Sequence, residues 1–326
     1  MIRQSINFPA LEQAELIQEE IKEKLGNNEV EGRTLVSLVS PGTELNANFR
    51  GKNFPNRSGY ACVFEIERVG KDVTEFKQGD RVFCQGNHSS LQRHDKKNIT
   101  LIDKKLDPET AVLARLAMVS TTTLMKTQTS SGDKAWIAGF GPVGYLAAAQ
   151  FRNAGYEVSV IEIDDARRAI AEQEGYSTYR SCPVDDENMK KTVDIYVDCS
   201  GHEASVLAGC KMVRREGEVI MVGVPWQKRT EIDAHALLWE VFHNYVHLKS
   251  GWEWSLPYQA DLNSPQSITR NTEKCLTWLK KESFVNKDLI GIYDPKNCQE
   301  VYNGLASQSL KDVFVVFDWT LLEKQQ

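Results

Sequence analysis

The residues with the clearest chemical meaning are three glycines and an acid. In A-W-I-A-G-F-G-P-V-G-Y-L-A-A-A-Q-F, Gly139, Gly141 and Gly144 separate a short apolar run from a stretch of small residues with helical character. That spacing gives each glycine a task. Gly139 permits a tight turn, Gly141 lets backbone approach a pyrophosphate, and Gly144 lets the helix lie close on the strand. Pro142 and Val143 complete the turn, and the helix that starts there offers phosphates its free N–H groups and the positive end of its dipole. A second apolar run, V-S-V-I, leads to Glu162, 18 residues after Gly144, where an acid accepts hydrogen bonds from an adenosine ribose. An acid at that point repels a 2′-phosphate, so NAD is expected in preference to NADP, while Arg167 and Arg168 are near enough in sequence to receive a phosphate. Two later strand ends, Cys199-Ser200-Gly201 and Val222-Gly223-Val224, are expected to flank the nicotinamide ribose.

These residues need a parallel sheet to position them. From about residue 121, apolar runs at 135–138, 158–163, 193–199 and 218–224 alternate with helical stretches such as D-D-A-R-R-A-I-A-E-Q-E and A-S-V-L-A-G-C-K-M-V-R-R-E. Short continuous apolar strands alternating with helices predict a doubly wound parallel sheet covered on both faces. Residues 30–120 read differently. R-T-L-V-S-L-V-S, Y-A-C-V-F-E-I-E-R-V-G and D-R-V-F-C-Q-G are short runs bounded by Gly, Asp, Asn and Pro, as in a barrel or sandwich. K-C-L-T-W-L-K-K reads as a last helix and D-V-F-V-V-F-D-W as a last strand returning to the first domain, with S-L-P-Y-Q-A-D-L-N-S-P-Q-S as the crossing. The expected division is residues 1–120 with 266–326 as the catalytic domain, and 121–265 as the dinucleotide-binding domain.

Length and composition agree with an ordinary two-domain protein: 326 residues, 41% hydrophobic and 26% charged. A net charge of -6 argues against nucleic-acid or acidic-membrane partners. M-I-R-Q-S-I-N-F-P-A lacks the apolar core of a signal peptide, and no window reaches the length of a membrane span, so a cytoplasmic protein is expected. Seven cysteines without a C-x-x-C pair read as reduced, mostly buried thiols. His243 and His247 are four apart, but F-H-N-Y-V-H-L reads as strand, which separates them, and no metal is expected there.

The order of a β-rich front half, a dinucleotide-binding half and a short return resembles the medium-chain dehydrogenase/reductase superfamily, along essentially the whole chain. The carriers are S-P-G-T-E-L (40–45), F-E-I-E-R-V-G-K-D-V-T-E-F-K-Q-G-D-R-V-F (64–83), G-F-G-P-V-G, V-D-C-S-G (197–201) and E-G-E-V-I-M-V-G (216–223). The resemblance implies a GroES-like β-barrel catalytic domain beside a Rossmann domain, a small-molecule substrate and a homodimer joined at the edge strand near W-E-V-F-H-N-Y-V-H-L. It also marks departures. Where zinc-dependent members carry their three metal ligands, this chain has Pro41, Tyr60 and Ala117, so no catalytic zinc is expected. S-x-G-T-E, A-R-R (166–168), G-W-E-W (251–254) and F-D-W (317–319) resemble a zinc-less branch that includes bacteriochlorophyllide dehydrogenase.

Without a metal, an O–H or N–H donor must polarise the substrate oxygen. Thr43 matches the family hydroxyl that binds this oxygen, and Tyr60 stands in place of a metal-binding histidine. His88, in Q-G-N-H-S-S-L, is expected at a cleft rim as a group that titrates near neutrality. Glu44 replaces an acid behind the metal and is expected either to orient Tyr60 or to remain a surface charge. Thr121 matches a family contact to nicotinamide. The resulting expectation is a zinc-independent NAD(H) oxidoreductase acting on a secondary alcohol or its ketone, of sugar, cyclitol or other hydroxylated ring type. An NADPH-dependent quinone or enoyl reductase, and an inactive nucleotide-binding sensor or structural protein, are the alternatives.

Overall fold

The computed structural model describes residues 1–21, 24–281 and 284–323. The chain divides into two compact units, Met1–Arg115 with Thr272–Gln326, and Leu116–Asn271. The second crossing therefore falls in a helix and not in the Pro/Ser/Asn-rich run before it.

The first unit is largely antiparallel. Strands β1 (Ile2–Phe8), β2 (Glu15–Glu20) and, after β3 (Glu29–Leu38), β4 (Asn56–Arg57) build a three-stranded sheet in the order β2-β1-β4. Between β3 and β4 the chain makes a helical turn α1 (Pro41–Thr43) that runs into a π-turn over Glu44–Phe49. Strands β5 (Ala61–Val69), β6 (Arg81–Cys84), β7 (Leu91–Asp95) and β8 (Ile99–Leu101) follow, then α2 (Pro108–Ala111) and α3 (Ala114–Lys126). Alternating residues of β5 and β6, among them Cys62, Phe64, Ile66, Val82 and Cys84, close an apolar core with Val30 and Ile99.

The second unit holds β9 (Lys134–Ala138), α4 (Pro142–Asn153), β10 (Glu157–Ile161), α5 (Asp165–Gln173), β11 (Ser177–Tyr179), β12 (Val193–Asp198), α6 (Glu203–Met212), β13 (Val213–Met221), α7 (Ala234–His243) and β14 (His247–Ser250). All six strands are parallel, in the order β11-β10-β9-β12-β13-β14. This order reverses between β9 and β12, the point at which doubly wound sheets take their ligands. V-R-R-E, expected as the end of a helix, is the start of β13. His243 ends α7 and His247 opens β14, so the pair is split between a helix and a strand. Helix α8 (Ile268–Leu279) leads back to the first unit, where β15 (Ile290–Tyr293), α9 (Cys298–Ala306), β16 (Phe314–Asp318) and α10 (Thr320–Glu323) complete the chain. Strand β16 pairs antiparallel with β3, as the F-V-V-F-D run predicts for a returning strand.

Candidate functional site

In the parallel-sheet unit, Gly139 follows β9 with φ +87, in the left-handed region that favours glycine. A Cβ on Gly144 would lie 1.8 Å from the carbonyl oxygen of Gly139, so only glycine lets α4 pack this close to the end of β9. Gly141 is different: its φ is -74, and the nearest atom to a Cβ there is Arg167 Nη1 at 3.6 Å. Nothing in the protein excludes a side chain at Gly141, which leaves its open face for a ligand. Pro142 and Val143 are half-buried in the first turn of α4, and Phe140 is buried against Tyr145 and Tyr176.

Glu162 lies just past β10 with its carboxylate turned back on this loop. Oε2 accepts the Phe140 N–H at 2.6 Å and Oε1 accepts the Asp164 N–H at 2.9 Å. The acid therefore braces the glycine turn. Arg168 donates to the Glu162 carbonyl and to Asp165. The exposed Arg167 has no side-chain partner among the described residues and is the cation nearest the open face of Gly141. Across the reversal point, Asp198 ties the second loop. Its carboxylate accepts the Ser200 hydroxyl at 2.6 Å, the Ser205 hydroxyl at 2.8 Å and the Gly201 N–H at 3.0 Å, and its carbonyl accepts the N–H groups of Val222 and Gly223. Burial pushes the Asp198 carboxyl above its usual range, against those hydrogen bonds. Gly201 at φ +65 and Gly223 are held so closely that a Cβ on either would meet backbone within 2.5 Å. Val224 is exposed beside them. Asp198 was visible as the second residue of V-D-C-S-G, at the end of an apolar strand where a buried acid needs a reason. Thr121 is buried in α3 and gives its hydroxyl to the Ala117 carbonyl at 2.9 Å. His202 caps α6 through Nδ1.

In the other unit, Glu44 and His88 overturn their expected surroundings. His88 is fully buried and lies on no rim, and Glu44 is 1% exposed and neither a surface charge nor bonded to Tyr60. They form one buried chain of hydrogen bonds. Trp319 Nε1–H donates to Ser37 Oγ at 2.8 Å, and Ser37 Oγ pairs with His88 Nδ1 at 2.7 Å. The Glu44 carboxylate can only accept, so the His88 nitrogen that faces it, Nε2, carries a proton. That Nε2–H donates to Glu44 Oε2 at 2.9 Å. Tyr302 donates to the same oxygen at 2.5 Å, and the Ser40 N–H donates to Oε1 at 2.8 Å. Burial raises the Glu44 carboxyl, but His88, Tyr302 and Ser40 outweigh it and hold the pKa below the ordinary value. The reason is topological: Glu44 follows the Pro41–Thr43 turn, His88 follows β6, Tyr302 lies on α9 and Trp319 ends β16. Glu44, His88 and F-D-W were singled out in the sequence, whereas Ser37 and Tyr302 carried no signal there.

Thr43, the residue before Glu44, is half-buried, and its hydroxyl makes no hydrogen bond to the described residues. Tyr60 is half-buried, with the Arg115 guanidinium 4.1 Å from its ring centroid and Arg115 itself 3% exposed. Gly59 before it permits a close approach to Asn87 and His88.

A family model described as glucose dehydrogenase C-terminus matches residues 114–251. Among curated proteins, the chain is 26% identical over 140 residues to 2-dehydro-3-deoxy-L-galactonate 5-dehydrogenase of Pseudoalteromonas atlantica, covering 40% of this chain and 41% of that protein. It is 25% identical over 216 residues to sorbitol dehydrogenase of Bacillus subtilis, covering 54% of this chain and 61% of that protein. The matches thus span less than two thirds of the length of either relative. Among solved structures, galactitol-1-phosphate dehydrogenase from Escherichia coli superposes with a TM-score of 0.83 at 15% identity, covering 97% of this chain and 99% of that one. The fold is that of these dehydrogenases, and residues 114–251 carry the match to the family model.

The three positions at which the sequence resemblance implies zinc ligands can be tested on their side chains. Pro41 and Ala117 carry no donor atoms, and Tyr60 lies under a guanidinium. No group of three His, Cys, Asp or Glu among the described residues could hold a metal ion. The donor set at these positions does not fit zinc. The Rossmann loops do suit a dinucleotide: an open glycine face, a helix N-terminus and a neighbouring arginine.

Proposed function

We propose that this medium-chain dehydrogenase/reductase is a zinc-independent oxidoreductase that moves hydride between NAD(H) and a secondary alcohol or its ketone, on a polyhydroxylated substrate of sugar or cyclitol type. The observation that carries the reading is the pair of loops after β9 and β12. Each is closed by an internal acid, Glu162 or Asp198, and the first leaves Gly141 open. The names of the two curated relatives, 2-dehydro-3-deoxy-L-galactonate 5-dehydrogenase and sorbitol dehydrogenase, support the substrate class.

The nicotinamide ring supplies or accepts the hydride. The chain would hold the pyrophosphate at Gly139, Gly141, Pro142, Val143, Gly144 and Arg167, the adenosine ribose near Glu162, and the nicotinamide side at Thr121, Ser200, Gly201, Val222, Gly223 and Val224. Hydride leaves carbon only as the hydroxyl proton leaves oxygen, so a donor–acceptor group must meet that oxygen. Thr43 supplies a hydroxyl not spent inside the protein, and Tyr60 a phenol that donates to a developing alkoxide. Glu44 and His88 act behind Thr43 by holding its turn, with no contact to substrate. The exposed aromatic surface of α7 beside the edge strand β14 supports a homodimer, and the enzyme works in the cytoplasm.

Fluorescence titration with NADH and NADPH, followed by turnover on a panel of polyols and cyclitols with the metal content measured, tests this reading. Tighter NADH binding and zinc-free turnover, lost in both Thr43→Val and Tyr60→Phe, are expected. Unchanged turnover in both variants would overturn the mechanism. Arg167 beside Gly141 favours a second reading, in which tighter NADPH binding and activity on a quinone or enone mark a C=C reductase.

A further inference from the structure

Seven free cysteines are scattered in sequence, yet two of them face each other. Cys62 on β5 and Cys84 on β6 are register partners in an antiparallel ladder. The Ile66 N–H donates to the Asp80 carbonyl in the same register, and hydrogen-bonded pairs recur at every second position. Cys62 and Cys84 therefore form a hydrogen-bonded pair, whose Cα atoms stand about 5.5 Å apart in such ladders. That separation lies inside the range a disulfide spans, about 4.4–6.8 Å. Both thiols are fully buried on one face of the sheet.

Their surroundings are polar on one side only. Gln92 Nε2 donates to Cys62 Sγ at 3.3 Å and to the Asn87 carbonyl at 2.9 Å. Gln92 Oε1 pairs with His94 Nε2 at 3.1 Å, and the His94 ring reaches the Cys84 sulfur. The Cys62 thiol donates to the Asn87 carbonyl at 3.2 Å. One amide thus links Cys62 to the imidazole beside Cys84. Burial raises the Cys84 thiol, but the Cys62 thiol and His94 more than offset it, while burial and the Cys84 charge push Cys62 up. The imidazole thus favours the thiolate at Cys84 over the one at Cys62.

We propose that Cys62 and Cys84 are a dithiol modification site that a hydroperoxide converts to a cross-strand disulfide. The Cys84 sulfur attacks the terminal oxygen of the hydroperoxide. An S–O bond forms, the O–O bond breaks, and His94 protonates the departing alkoxide or hydroxide. The Cys62 sulfur then attacks the Cys84 sulfenic acid. The S–S bond forms, the S–O bond breaks, and water leaves with the Cys62 proton. Two thiols lose two electrons, and one hydroperoxide becomes an alcohol (or water) and a second water. The disulfide removes the Cys62 donor from the Asn87 carbonyl, next to His88 in the chain that holds Glu44. The site stands independently of the dinucleotide reading.

The test treats the whole protein with hydrogen peroxide, then denatures it in acid, alkylates it and maps its peptides. A Cys62–Cys84 cross-linked peptide that dithiothreitol reverses is expected, and in Cys62→Ser the Cys84 sulfenic acid accumulates and is captured by dimedone. Amide exchange at Asn87 and His88 is expected to quicken in the oxidised protein. If Cys62 and Cys84 are both recovered alkylated after a dose that consumes the half-exposed Cys182, or if Cys62→Ser yields no dimedone adduct at Cys84, the proposal fails. NADH binding, measured in the same samples, reports on the dinucleotide reading separately.

Discussion

A buried carboxylate is stable only when its lone pairs are used, and Glu44 uses both oxygens on three donors. Glu44→Gln puts an N–H₂ group where acceptors were, so at least one of His88, Tyr302 or the Ser40 N–H loses its partner. The expected cost is roughly 1–3 kcal/mol for each orphaned donor, read as a lower urea midpoint. The sign of its pH dependence follows from the depressed carboxyl. The group is more acidic when folded than its value of 4.5 unfolded, so its contribution is complete above that pH and fades as pH falls through the folded value. The gap between wild type and Glu44→Gln should therefore be widest near neutrality and close in acid. A gap that widens on acidification would show that Glu44 is protonated in the folded chain. The type of this residue was legible in the sequence and its role was not, because two of its three partners, His88 and Tyr302, come from distant segments and leave no spacing to read.

At the scale of elements, local pattern carried much more. The apolar runs at 135–138 and 158–163 became β9 and β10 because parallel strands covered on both faces need continuous apolar residues. Glu162 was legible as the acid after β10, but its bonds to Phe140 and Asp164 were not, since both depend on how far a glutamate reaches across a folded turn. V-R-R-E was misread as helix because its charges continue a helical pattern that β13, with exposed residues at its start, also permits. The glycine turn gives a prediction that separates fold from function. Gly144→Ala forces α4 off the Gly139 carbonyl and should cost about 1–3 kcal/mol of stability together with dinucleotide binding. Gly141→Ala meets only the end of Arg167, so the melting temperature should hold while NADH affinity falls. Equal losses of stability in both variants would mean that Gly141 is structural and faces no ligand.

At the scale of the molecule, the parallel sheet ends in a strand paired on one side. Among the described residues, strand β14 bonds to β13 alone, and next to it in the chain α7 exposes Leu238, Trp239 and Phe242, the last at 76%. Large apolar side chains grouped on one helix cost little in water only when something covers them, and an open strand edge invites further pairing. A second copy satisfies both demands through one two-fold contact, in which the same surface serves each partner. The Phe242 side chain is mostly exposed, its ring edge-on to the neighbouring His243, so Phe242→Glu should leave the melting curve of dilute protein nearly unchanged while placing a charge inside the contact. Sedimentation equilibrium should then give a dimer for the wild type at micromolar concentration and a monomer for Phe242→Glu. A wild type that sediments as a monomer at those concentrations, or a variant that stays dimeric, removes α7 as the interface and leaves its aromatic face to substrate or to another partner.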